Sequence, residues 1–172
     1  MDTPIIQSMP PSMTVAKLNS ISSFVARVLS EPCNPVPGTV LISYLLYRMI
    51  GAGFHITDAT VYVVAYLVAI GSCVVIKRYF PSERPAIATE YPWDGWLKLT
   101  EPTNIPSGHS LTGVFWGMVA LNASNDPITK VVGAWLVSLP LLRYIGRQHT
   151  IEGVAAGSAF GLGCYFCIKS MI

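Results

Sequence analysis

The sequence predicts an all-α fold: a polytopic transmembrane helical bundle of five to six membrane helices, with an N-terminal amphipathic helix. Of its 172 residues, 52% are hydrophobic and 12% are charged, whereas a soluble domain carries about 25% charged residues. The mean hydropathy is +0.51. Several apolar stretches approach the roughly 20 residues that a helix needs to cross a bilayer. The net charge of +2 is too small to indicate a nucleic-acid partner, so the membrane itself is the expected partner.

The N-terminal part differs from the rest of the chain. Residues 1–36 are predicted to form an interfacial segment, and residues 37–172 the transmembrane domain. Within residues 13–30, apolar residues recur at helical spacing with basic residues between them. This pattern is typical of an amphipathic helix that lies in the membrane interface, although a sixth span here is left open.

Five stretches are long and apolar enough to suggest membrane crossings. They are residues 37–54, 59–76, 108–123, 127–145 and 150–168. The second carries no charge and stops sharply at Lys77 and Arg78, while the third is short for a span.

Counting the crossings places three polar segments at the same membrane face. They are residues 77–85, 106–109 and 143–152, and they contain Lys77, Arg84, Ser107, His109, Arg143 and His149. Arginine offers forked hydrogen-bond donors to phosphate oxygens, and lysine offers a point charge. Several such cations around two imidazoles predict a site for a tetrahedral oxyanion.

This group of side chains fits phosphoryl transfer. One histidine could attack phosphorus and the other could protonate the leaving oxygen. Ser107 can cap a helix that begins at Gly108, and the free amides of its first turn can face an anion. Neither metal-ligand spacing nor clustered carboxylates accompany the histidines, so we predict a reaction that needs no metal or other cofactor.

The three segments together resemble a known signature. Lys77-x6-Arg84-Pro85, Pro106-Ser107-Gly108-His109 and Arg143-x5-His149 are similar, in order and spacing, to the motifs of the type 2 phosphatidic acid phosphatase (PAP2) superfamily of integral-membrane lipid phosphatases. The resemblance runs over residues 77–161 and implies a PAP2-like helical bundle.

The resemblance also implies roles for single residues. His149 would be the nucleophile that forms a phosphohistidine, and His109 the acid for the leaving group. The phosphoryl oxygens would be held by Lys77, Arg84, Ser107, Gly108 and Arg143. The implied substrates are lipid phosphates and diphosphates such as phosphatidate, phosphatidylglycerophosphate and polyprenyl diphosphates, at a site on the extracytoplasmic or lumenal face.

The third motif departs from the family pattern at two positions. The family has Ser before the arginine and Asp four residues after the histidine, where this chain has Leu142 and Gly153. That Asp orients and stabilises the nucleophilic histidine, as a buried carboxylate does in other triads. We expect Glu152 to replace it, because positions i+3 and i+4 share a helix face with i; alternatively, Glu152 favours the helix dipole only.

Three functions follow as hypotheses. The first is a lipid phosphate or diphosphate phosphatase. The second is a catalytically impaired protein of the same fold that binds lipid phosphates or serves as a membrane scaffold, a hypothesis motivated by Gly153. The third is phosphoryl or headgroup transfer to an acceptor other than water, which the sequence does not separate from hydrolysis.

Overall fold

A computed structural model describes residues 13–30, 35–83, 85 and 103–172, and these ranges are all helical or connecting segments without a strand. Six helices follow one another along the chain. They are α1 (Met13–Ser30), α2 (Pro35–Gly51), α3 (Ile56–Tyr79), α4 (Gly108–Ala123), α5 (Pro127–Ile145) and α6 (Ile151–Lys169). The predicted all-α class is confirmed.

The helices coincide closely with the predicted crossings. The predicted bounds of α1, α4 and α5 agree with the structure, and the other three differ by a few residues at their ends. In the described residues, α3, α5 and α6 are long and apolar enough to span a membrane. The chain is therefore a membrane protein with a helical bundle as its core.

Helix α4 lies at the centre of this bundle and contacts α2, α3, α5 and α6. Ten of its sixteen residues are buried, among them Phe115 and Trp116, whose ring centroids lie 5.3 Å apart. Tyr62 of α3 and Tyr165 of α6 pack onto the same aromatic cluster. Because other helices surround α4, most of its surface contacts protein.

Small residues bring the backbone of α4 close to its neighbours. On the α5 side, a Cβ added to Gly117 would lie 2.8 Å from the carbonyl oxygen of Gly133. On the α6 side, a Cβ added to Gly161 would lie 2.5 Å from the carbonyl oxygen of Leu111, and Gly157 is packed still more closely on Ser107. Such stripes of small residues let membrane helices approach closely.

Helix α1 packs on the C-terminal end of α5. Its Arg27 Nε donates to the carbonyl oxygen of Gly146 at 3.0 Å, and its Ser23 Oγ donates to that of Ile145 at 3.2 Å. Large apolar residues of α1 remain exposed, namely Ile21, Phe24, Val25, Val28 and Leu29, as expected for an amphipathic helix at a lipid interface. The division into segments 1–36 and 37–172 stays a prediction; α2 begins at Pro35.

Candidate active site

The segment of residues 103–107, which we call the site segment, leads into α4 and lies beside the end of α3. Its main chain is fixed to the residues after α3: the amide of Asn104 donates to the carbonyl oxygen of Ser82 at 2.9 Å, and that of Ile105 to Ser82 Oγ at 2.9 Å. Lys77, on the last turns of α3, is 7% exposed and donates through Nζ to the carbonyl oxygen of Thr103 at 3.4 Å. The site segment therefore lies beside the first predicted cation.

The site segment ends at the N-terminus of α4. Ser107 is fully buried and caps this helix, because its Oγ accepts from the amide of Ser110 at 3.3 Å, as the sequence predicted. Its own amide donates to the carbonyl oxygen of Gly153 at 2.9 Å. Gly108 and His109 follow in the first turn and are half-buried. A helix N-terminus carries a partial positive charge and favours an anion.

Arg143 lies in the last turn of α5. Its side chain is 2% exposed and donates from Nη1 to Ser30 Oγ of α1 at 3.4 Å. Its carbonyl oxygen accepts from the amide of Gln148 at 3.0 Å, which ties α5 to the connection that leads into α6.

This connection turns the chain inward at Arg147. Arg147 has a φ of 56°, a left-handed conformation that a non-glycine residue adopts at a cost and that is common at functional sites. The turn leaves Arg147 exposed while the next two residues, Gln148 and His149, are buried. His149 is thereby directed towards the site segment.

The ring of His149 is held on one side. Its Nδ1 lies 2.9 Å from the carbonyl oxygen of Asn104 and 3.2 Å from Asn104 Oδ1. Both partners are acceptors, so Nδ1 carries the proton and Nε2 keeps a lone pair. His149 is 2% exposed.

A cleft of about 570 Å³ opens at His149. Its walls come from the end of α5, the α5–α6 connection and the first turn of α6, and they include Pro85, Tyr144, Arg147 and Glu152. Glu152 is exposed and lies on the same cleft as His149, but the acceptors that hold Nδ1 belong to Asn104. The orienting role expected of Glu152 stays a prediction.

Most of the predicted site residues lie at one end of the bundle. Lys77, Ser107, Gly108, His109 and His149 lie on the site segment, on the helix ends that contact it, or on the connection that contacts it. Arg143 lies in the last turn of α5 and is joined to that connection through Gln148. Arg84 lies outside the described residues. No three His, Cys, Asp or Glu side chains group as a metal site requires within the part of the chain that the structure describes.

Two residues of this site were missed by sequence reasoning. Ser82 holds the site segment, and Asn104 within that segment holds His149, through hydrogen bonds between distant parts of the chain. One feature of the sequence could have indicated Asn104: it lies two positions before Pro106, where the motif with the helix cap Ser107 begins. A polar residue so close to that motif can contact the group that the motif binds. Nothing in the pattern around Ser82 distinguishes it from other loop serines.

Comparison with known proteins supports the same reading. Residues 58–172, more than half of the chain, match the family model of the PAP2 superfamily. No curated protein and no solved structure gives a significant match. The matched region contains all but the first two residues of α3, the whole site segment and α4 to α6. The chain therefore belongs to the PAP2 superfamily.

Proposed function

We propose that this protein is a membrane phosphatase that hydrolyses the phosphomonoester or diphosphate of a lipid through a phosphohistidine, without a metal. Membership of the PAP2 superfamily indicates a phosphatase-type activity in general. The substrates we propose are phosphatidate, phosphatidylglycerophosphate or a polyprenyl diphosphate. They present an anionic group at the bilayer surface on an apolar chain that stays in the membrane.

One observation carries the proposal: a buried imidazole, held through Nδ1, opens onto a cleft at the end of the bundle where two basic side chains are buried. His149 supplies the imidazole, and Lys77 and Arg143 supply the cations. Arginine and lysine form strong, charge-assisted hydrogen bonds with phosphate oxygens. We propose that a phosphoryl group positioned for attack by His149 is the anion that these two side chains bind.

The proposed reaction has two steps. In the first, Nε2 of His149 attacks phosphorus in line, the N–P bond forms as the bond to the leaving oxygen breaks, and His109 gives that oxygen a proton. In the second, water attacks phosphorus, His109 takes a proton from it, and inorganic phosphate leaves as His149 is restored. Phosphoryl transfer depends mainly on positioning and charge stabilisation.

The phosphoryl oxygens need donors throughout both steps. We assign this role to the side chains of Lys77, Arg84 and Arg143 and to Ser107 and Gly108 at the start of α4. Arginine and lysine differ here, because Arg143 can bind two oxygens with a planar fork whereas Lys77 acts as a compact charge. The main-chain amides at the N-terminus of α4 are already fixed in place, so they can stabilise the negative charge that develops on the phosphoryl oxygens in the transition state without reorganising.

The test is phosphate release from a panel of lipid phosphates and diphosphates by the purified full chain in detergent. Activity should persist in EDTA and be inhibited by vanadate. His149→Ala should lower kcat by about 10⁴-fold or more, because loss of a nucleophile leaves only binding and electrostatic stabilisation. His55→Ala is the matched control, since His55 is exposed and precedes α3 at the opposite end of that helix from Lys77.

Two results would contradict the proposal. Undiminished phosphate release by His149→Ala would exclude the phosphohistidine. A parent protein that releases no phosphate from any lipid but still binds phosphate-bearing vesicles would favour the catalytically impaired lipid-phosphate binder instead.

A further inference from the structure

Asn104 occupies the space that a side chain at position 153 would need. A Cβ built on Gly153 would lie 2.6 Å from Asn104 Oδ1 and 2.7 Å from the carbonyl oxygen of Asn104. Neither separation is tolerated by real Cβ atoms, and the second involves main chain, which cannot rotate away. Gly153 stands where the resemblance places an Asp, so in this chain a residue from a different part of the fold fills the space into which that side chain would extend.

The orientation of the Asn104 amide follows from its partners. The main-chain N–H of Thr150 can only donate, and it lies 3.0 Å from the side-chain atom assigned as Oδ1, so that atom must be the oxygen. The amide nitrogen then donates to Thr150 Oγ1 at 2.6 Å. Oδ1 is therefore available as an acceptor on the side that faces His149, at 3.2 Å from Nδ1.

Asn104 is also immobilised from the other side. Its main-chain amide donates to the carbonyl oxygen of Ser82 at 2.9 Å, and the whole residue is buried. It thus connects the end of α3 to the start of α6, where Thr150 is the N-cap. A group held by three hydrogen bonds can fix the tautomer and the ring plane of a histidine, as partners of catalytic and metal-binding histidines do.

We infer that Asn104 is the positioning residue for His149 and that, with Gly153, it replaces the acidic residue of the third motif. This inference rests on the proposed function. The main-chain and side-chain oxygens of Asn104 accept the Nδ1 proton, so the lone pair of the neutral ring lies on Nε2, the atom that attacks phosphorus. Because both oxygens are neutral, they orient the ring without the charge that a carboxylate would place beside a histidine cation.

The first test compares Asn104→Ala with Glu152→Gln in the lipid phosphatase assay. Asn104→Ala keeps the main-chain acceptor but loses the side-chain acceptor and both bonds to Thr150. We expect kcat to fall by about 10- to 100-fold with a much smaller change in KM, as for other residues that orient a reacting histidine. Asn122→Ala is the matched control, because Asn122 is exposed and bonds only to Met118 of its own helix turn among the contacts described.

The second test uses Asn104→Asp, which keeps an acceptor for Nδ1 and for the amide of Thr150, while the Thr150 hydroxyl can donate to the carboxylate. The added charge stabilises the protonated imidazole, which cannot attack phosphorus. The acidic limb of the kcat/KM profile should therefore move to higher pH, an effect that a merely structural residue would not produce. The other charged or titratable groups of the surrounding elements are unchanged in this variant: Lys77 on α3, His109 on α4, Arg143 on α5, Arg147 in the connection and Glu152 on α6.

Two sets of results would overturn the inference. One is an Asn104→Ala rate within twofold of the parent together with an Asn104→Asp profile that does not move. The other is a large loss in Glu152→Gln with no loss in Asn104→Ala, which would return the orienting role to Glu152.

A third measurement needs neither turnover nor a folded Asn104 variant. Nitrogen-15 NMR of the resting full chain, labelled in histidine and assigned with His149→Ala, reports which ring nitrogen of His149 carries the proton. The Nδ1–H form supports the inference, and the Nε2–H form overturns it even if the parent hydrolyses lipids. A parent that hydrolyses no lipid phosphate contradicts the proposed function alone, and the tautomer then still decides for or against Asn104.

Discussion

Restoring the acidic residue of the third motif should damage this protein. The family pattern has Asp where this chain has Gly153, so Gly153→Asp would ordinarily be expected to raise activity. The structure predicts the opposite. A Cβ at this position would meet Asn104 Oδ1 at 2.6 Å, and an ordinary van der Waals contact needs about 3.4 Å, so Asn104 would have to retreat by about 0.8 Å.

The size of the effect follows from that displacement. A misplacement of about 1 Å in a catalytic arrangement can lower the rate by about 10²-fold, and overpacking of a well-packed interior costs about 1–3 kcal/mol of stability. Gly153→Ala should therefore lower kcat by several-fold to about 100-fold. Gly153→Asp should lower it at least as much, since its carboxyl group needs further space. Each kcal/mol lost corresponds to roughly 2–4 °C in Tm for a chain of this size.

Both variants should be measured for phosphate release from the best lipid substrate and for thermal unfolding in the same detergent. Gly163→Ala is the matched control on the same helix, because a Cβ there meets nothing within 4 Å; it should leave kcat unchanged and Tm equal or slightly higher. A Gly153→Asp protein with the parent's kcat and Tm would refute the packing argument.

Two further predictions concern stability. Gly117→Ala should lower the free energy of unfolding by about 1–3 kcal/mol, because its Cβ would lie 2.6 Å from Cγ2 of Val137 on α5; an unchanged melting temperature in detergent would contradict it. At the opposite end of the bundle, hydrogen bonds from Arg48 and Thr129 lower the pKa of Asp126 to about 2, below the usual value of about 3.9. Its ionised form therefore stabilises the fold above about pH 4, and that contribution is lost as the pH falls towards 2. Asp126→Asn, which keeps an N-cap acceptor, should show a lower Tm at neutral pH and a shallower decline of Tm between pH 5 and 2; parallel curves for the two proteins would disprove this.

The positions of α2 to α6 were predictable because each one coincides with a long apolar stretch of the sequence. The stretch 59–76 ends where Lys77 and Arg78 begin, and Ser107 and Asp126 stand immediately before helices that they cap. These signals are local in the chain, so the sequence alone places α4 and α5 at the bounds that the structure shows. Counting the crossings predicts that the three polar segments share one face, and hydrogen bonds join the site segment to Lys77 and to His149.

The residue that orients the ring of His149 was not predictable in the same way. Glu152 was the natural candidate because helical spacing makes it a neighbour of His149. Asn104 lies 45 positions before His149, and no periodic pattern relates residues that are joined only by tertiary packing. The ion pair between Arg48 and Asp126 illustrates the same limit, because Arg48 taken alone resembles an interfacial anchor.

The glycines of α6 have a consequence for how this protein responds to mutation. Gly153, Gly157 and Gly161 present bare backbone to the site segment and to the first turns of α4. None of them can donate, accept or titrate through a side chain, yet a Cβ would meet the main chain of Asn104, Ser107 or Leu111, respectively. An activity screen of random variants would score these three positions almost as severely as the histidines. In such a screen, intolerance to substitution would therefore indicate close packing between helices as readily as a catalytic role.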